Sequence, residues 1–205
     1  MGKKNFCRTT LFPYQISDEG EIVRVDWLLE LELLLPPIEA VGMGERAGSD
    51  LGATEEESGE PAQGAIAILR PHLPFSLVPR TWLDEFRMPV VGNEGMVRAV
   101  EANQIFHATL TVVRFRFLED PKHPVAEEER TFSTVAVVPG EGTPEGVWDF
   151  FHLGSDFLRD YGIRLDIDYG RLRTPPWESA EARVWSIDPT VPCGRLMYLP
   201  QGSPD

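Results

Sequence analysis

Hydrophobic and polar positions alternate most clearly over residues 22–34. Val25, Trp27, Leu29, Leu31 and Leu33 share one face there, with Arg24, Asp26, Glu30 and Glu32 opposite. A period of two marks a half-buried strand, and Pro36-Pro37 ends it because proline cannot donate to a ladder. A short apolar run at 65–69 suits a buried strand, and a one- or two-turn helix is expected over 80–87. Two further strands, 96–101 and 105–118, are separated by the hairpin-like spacer Ala102-Asn103-Gln104. Val112-Val113 interrupts the alternation in the second, which predicts a bulge or burial on both faces. After a turn over 119–129, the strand 130–138 sets Phe132, Thr134, Ala136 and Val138 on one face. Ser155 and Gly162 bracket a short helix as N-cap and C′ residue. Residues 163–168 alternate strictly, and 182–187 and 196–199 read as strand-like pieces of a Pro-rich tail. The expected class is all-β with one or two short helices.

Residues 39–64 break every periodicity. They hold seven acidic side chains against one arginine, with the run Glu55-Glu56-Glu57, and read as a solvated surface insertion between two strands. The whole chain has 205 residues and a formal charge of −14, which argues against a nucleic-acid backbone or an anionic membrane surface as partner. No apolar run approaches the ~20 residues of a spanning helix. Met1–Phe6 has no apolar core of signal type, so the expected compartment is the cytoplasm.

Candidate chemistry is sparse. Cys7 and Cys193 are too few for a disulfide framework or a cysteine zinc site and read as separate free thiols. His107, His123 and His152 show no HxxxH or HxH spacing, so no metal or other cofactor is expected. Asp166 and Asp168 alternate on the exposed side of a strand and read as solvated. Gly92-Asn93-Glu94-Gly95 lacks the Lys-Ser/Thr and the helix of a phosphate loop.

The block Leu153-Gly154-Ser155-Asp156-Phe157-Leu158-Arg159-Asp160-Tyr161-Gly162-Ile163-Arg164-Leu165-Asp166 resembles the C-terminal signature of retropepsin-like aspartic proteases. There an apolar-Gly-x-Asp-Phe-Leu start leads through a short helix and a glycine into a closing strand. The segment from Pro74 through Phe75-Ser76-Leu77-Val78-Pro79 to Leu83 is similar to the one that follows the catalytic loop in bacterial members. Gly92, Asn93, Glu94 and Gly95, with the strands after them, stand where that family has its flap. Phe12-Pro13-Tyr14 and the strand 22–34 stand at its opening strands. The resemblance spans about residues 10–174, leaving 175–205 as a Pro-rich C-terminal extension. It implies a closed retropepsin-like β-barrel, a homodimer and a cleft for a peptide or protein segment. Asp156 then takes the structural place at the start of the short helix, where its charge suits the helix N-terminus.

The departure falls on the catalytic loop. Where the family has Asp-Thr/Ser-Gly-Ala, this chain has Arg70-Pro71-His72-Leu73, and no aspartate lies between Asp50 and Asp84. The mechanism needs two carboxylates ~3 Å apart sharing a proton, and a guanidinium has no lone pair to offer water. His72 is the remaining candidate general base in this stretch, yet a histidine without a nucleophile or carboxylate at motif spacing is no catalytic set. The expectation is a catalytically inactive pseudoprotease, with Arg70 and His72 lining the relic cleft and the acidic stretch 45–60 as a charge-complementary plug. The alternatives are an endopeptidase using a non-standard aspartate, of which Asp26 is the one that can be named, and a structural subunit of a larger assembly.

Overall fold

The computed structural model describes residues 6–18, 21–36, 62–99, 104–122, 124–140, 150–168, 190 and 192–201. The chain order is β1 (Cys7–Asp18), β2 (Glu21–Leu34), β3 (Ala62–Leu69), β4 (Ser76–Leu77), α1 (Thr81–Glu85), β5 (Val90–Ala99) and β6 (Gln104–Phe117). After these come β7 (Thr131–Pro139), β8 (Phe151–Leu153), α2 (Ser155–Asp160), β9 (Arg164–Ile167) and β10 (Gly194–Tyr198). The described residues adopt the expected all-β class, with two short α-helices where one or two are expected. Most of the acidic insertion lies outside the described residues; 62–64, assigned to it from sequence, belong to β3.

Six strands close on themselves in the order β2-β3-β8-β4-β7-β6, with β6 returning to β2 through Leu31↔Phe117 and Leu33↔Phe115. Closure is possible because β6 changes partner along one edge. Its first half pairs with β5 and its last residues pair with β2. The connection between β3 and β4 is less ordinary. These strands are neighbours in sequence, yet β8 lies between them, parallel to β3 and antiparallel to β4. β4 in turn runs parallel to β7.

The barrel interior is the face that the alternation predicts. Leu29, Leu31 and Leu33 are fully buried, facing Val113, Phe115 and Phe117 of β6 and Phe132, Ala136 and Val138 of β7. Phe115 touches four other rings, with centroids 5.4–6.0 Å from Phe117, Phe132, Phe151 and Phe157. Val112-Val113 produces no bulge. The β6–β7 ladder keeps one register from Ala108 to Arg116, with Val113 inside and Val112 half-buried beside Val135. The bulge falls in β5 between Val91 and Gly95, where Gly92 takes φ +79° at no steric cost. Gly92, Asn93, Glu94 and Gly95 are thus an irregularity within one arm of the β5–β6 hairpin.

Outside the barrel, the first residues of β1 leave β2 and pair with β10, which pairs with β9. Residues 194–198, placed by sequence in a C-terminal extension, are therefore the central strand of this small sheet. The piece 182–187 lies outside the described residues. Among those described, no helix is long and apolar enough to cross a membrane.

Cys7 and Cys193 are free and buried. Cys7 pairs with Tyr198 at one end of the β1–β10 ladder, whereas Cys193 donates its N–H to Leu11 at the other. Four strand steps of ~3.3 Å separate the two, beyond disulfide reach. Burial pushes both thiols above the ordinary value of 9.0. The unfolded thiols then lose protons first as pH rises, so this contribution to stability is intact below pH ~9 and declines above it. Ellman's reagent is expected to label neither cysteine in the native chain and both in urea.

Candidate functional site

Arg70-Pro71-His72-Leu73 is a four-residue turn hung from the end of β3. Arg70 donates its backbone N–H to the Leu153 carbonyl at 2.9 Å, and Leu73 donates back to the Arg70 carbonyl at 3.0 Å. Pro71 fits because the second position of such a turn wants φ near −65° and needs no donor. Pro71 and His72 are exposed, whereas Arg70 and Leu73 are buried.

A carboxylate staples β4, just after this turn, to α2. Asp156 accepts from the Ser76 backbone N–H at 2.9 Å, from Ser76 Oγ at 3.0 Å and from its own neighbour Phe157 N–H at 2.8 Å. Ser76 Oγ accepts in turn from Gly154 N–H at 3.1 Å, and Leu73 O accepts from Ser155 N–H at 2.7 Å. Gly154 is the residue preceding the helix, and Ser155 is the first helical residue instead of its cap. The other end agrees with the sequence reading, since Gly162 follows the helix with φ +59°. The requirement at Gly154 is steric. A Cβ there would stand 2.4 Å from the Phe75 carbonyl oxygen and 2.9 Å from Asp156 Oδ1. Gly154→Ala is expected to lose about 1–3 kcal/mol in urea unfolding, since backbone on one side and the staple on the other leave no room to relax.

Arg70 does not line an open cleft. The β2–β3 register pairs Trp27 with Leu69, so one step further Asp26 stands across from Arg70 on the outer face of the barrel wall. The Arg70 Nε lies 3.2 Å from Asp26 Oδ2, with the two side chains 8 % and 4 % exposed. The charge that the sequence offered to an acidic plug is met by Asp26. Asp26 in turn faces a guanidinium, where a protease dyad would need a second carboxyl group. One row inward on the same face lies His152, flanked by Ile68 and Leu77 and with no exposed surface. Asp26, Arg70 and His152 are far apart in the sequence, and no motif spacing joins them. The one hint was position, since His152 stands between Phe151 and Leu153 in a run with no polar neighbour before Gly154.

Beside the turn, Leu73, Leu77, Ala108 and Val137 form a small apolar cluster with Phe75 packed on it. Cross-strand neighbours extend it over the outside of the hairpin. Leu110 sits between Val91 and Val137, and Val112 beside Val135. Leu110 and Val135 are exposed. Trp82 does not fill this surface; it turns into the core against Phe86 and Phe151, at 5.2 and 5.8 Å. Two shallow clefts lie elsewhere, meeting at Glu30 and Leu118. His107, Asp166 and Asp168 are exposed, and His123 lies outside the described residues. Among the described residues, no group of three or more His, Cys, Asp or Glu side chains is arranged to hold a metal ion. Compared with known proteins, the chain matches no family model, no curated protein and no solved structure.

Proposed function

We propose that this protein is a non-catalytic barrel of retropepsin type that binds a peptide or protein segment beside its relic turn. The observation that carries the reading is the buried pair Arg70–Asp26. The position that would have to bear a catalytic carboxylate holds a cation, and the nearest named aspartate is committed to neutralising it. Water activation needs a lone pair next to a proton donor, and this pair supplies neither free. Support for binding comes from the apolar surface of half-buried Phe75 and exposed Leu110 and Val135 beside the turn, next to the β5–β6 hairpin. An extended segment could add its backbone to the edge of β5 and its apolar side chains to that surface.

The test is a cleavage assay on a mixed peptide pool from pH 3 to 8, run with and without pepstatin and beside amide-exchange mapping of the bound pool. The reading expects no cleavage, and protection on β5 and at 73–77. Cleavage blocked by pepstatin would replace it with an endopeptidase using Asp26. Absence of both cleavage and protection would leave a scaffold subunit instead.

A further inference from the structure

We infer that the outer face of the small sheet β1–β10–β9 is a docking surface for an acidic protein segment. Registers of the three strands decide what this face carries. Arg8 pairs with Met197 and Met197 with Arg164, forming one row; Thr10, Arg195 and Asp166 form the next. The alternate residues Thr9, Leu11, Leu196 and Tyr198 point inward and are buried, so all three arginines stand on the same outward side. Arg164 and Arg195 are exposed and Arg8 is half-buried.

With strands ~4.8 Å apart and residues ~3.4 Å along them, Arg8 and Arg164 are roughly 10 Å apart at the backbone. By the same spacing Arg195 lies about 8 Å from each, well within the combined reach of two guanidinium side chains. Among the described residues none of the three makes an ion pair. Arg164 instead lies over the Phe6 ring at 4.9 Å, which holds its charge on the surface while leaving its donors outward. Asp166 stands directly across from Arg195, two residues along β9 from Arg164, and Asp168 follows it on the same exposed side, whereas the Arg8–Met197–Arg164 row itself carries no acidic side chain.

The occupant follows from charge. The chain has a net charge of −14, so an acidic segment is repelled by the molecule as a whole and accepted where arginines gather on one side. Guanidinium forks pair with carboxylates in bidentate fashion, and three of them at this spacing fit carboxylates on alternate residues of an extended strand. Met197 between the arginines gives the segment an apolar contact. A nucleic acid fits poorly, because a long polyanion would meet the negative surface beyond the patch.

The experiment uses the full chain and a fluorescein-labelled peptide of alternating Asp and Glu, read by anisotropy at low salt. Arg8→Gln, Arg164→Gln and Arg195→Gln together are expected to weaken binding at least about tenfold. The control Arg87→Gln, Lys122→Gln and Arg159→Gln makes the same charge change at exposed positions elsewhere and is expected to leave it nearly unchanged. Far-ultraviolet dichroism of both variants separates lost docking from lost folding. Equal weakening by the control, or no binding by the natural chain, overturns the proposal. Tighter binding of a phosphoserine peptide of the same length than of the carboxylate peptide also overturns it, in favour of phosphate recognition.

Discussion

Replacing Arg70 by methionine is expected to destabilise the fold by about 3–5 kcal/mol, among the largest single losses this chain can show away from its core aromatics. The cause is the group left behind. Asp26 is 4 % exposed, and without the guanidinium 3.2 Å away its charge would sit in the barrel wall with its main compensation gone. Asp26→Leu is expected to cost a similar amount by stranding the arginine. The double variant Arg70→Met/Asp26→Leu should return to within about 1 kcal/mol of the natural chain, since an apolar pair of like volume avoids both desolvation costs. Urea unfolding of the four proteins closes the cycle, and additive losses would show that the pair is not the unit that matters. A sharper variant is Arg70→Asp, which sets two carboxylates face to face. They must share a proton, so the folded state binds more protons than the unfolded one. Its stability is therefore expected to be highest near pH 4 and to fall towards pH 7.

The second large effect is expected in the barrel itself. Phe115→Ala removes the ring that touches four others, at a position with no exposed surface, and should cost about 3–5 kcal/mol. Neighbours cannot collapse into the space without moving strands, because Phe117, Phe132, Phe151 and Phe157 belong to four different contacts on three strands and a helix. Phe115→Leu should recover much of the loss. If Phe115→Ala unfolds no earlier in urea than the natural chain, the aromatic cluster does not hold the barrel together.

Together these results bear on function by separating two jobs of one wall. The barrel core holds the strands, whereas Asp26 and Arg70 form an internal ion pair in its wall. A chain that tolerates the double apolar replacement while keeping peptide protection on β5 would place binding on the apolar surface alone. Loss of that protection in a folded double variant would assign the pair a part in shaping the turn.

How far the sequence could be read differs from one element to the next. Alternation along β2 and β7 places Leu29, Leu31, Leu33, Phe132, Ala136 and Val138 inside, because a strand in a closed barrel has one dry face and the period of two expresses it. Gly162 is legible as the helix end because left-handed φ favours glycine. The Leu153-Gly154-Ser155-Asp156 block is legible as a helix entry, yet its staple to Ser76 is not, since those residues are 80 positions apart. The same limit hides β10, which reads as part of a proline-rich tail until β1 and β9 are seen on either side of it.

By itself the sequence determined the all-β class, the inward residues of the main strands, the glycine that ends the second helix and the absence of any aspartate between Asp50 and Asp84. These are local properties, written in side-chain period and in the backbone demands of proline and glycine. Only the tertiary structure decided that β8 threads between β3 and β4, that Asp26 answers Arg70, and that three arginines from distant segments share one sheet face. Each of these depends on strand register between residues far apart in the chain, and register is set by the packing of the whole barrel.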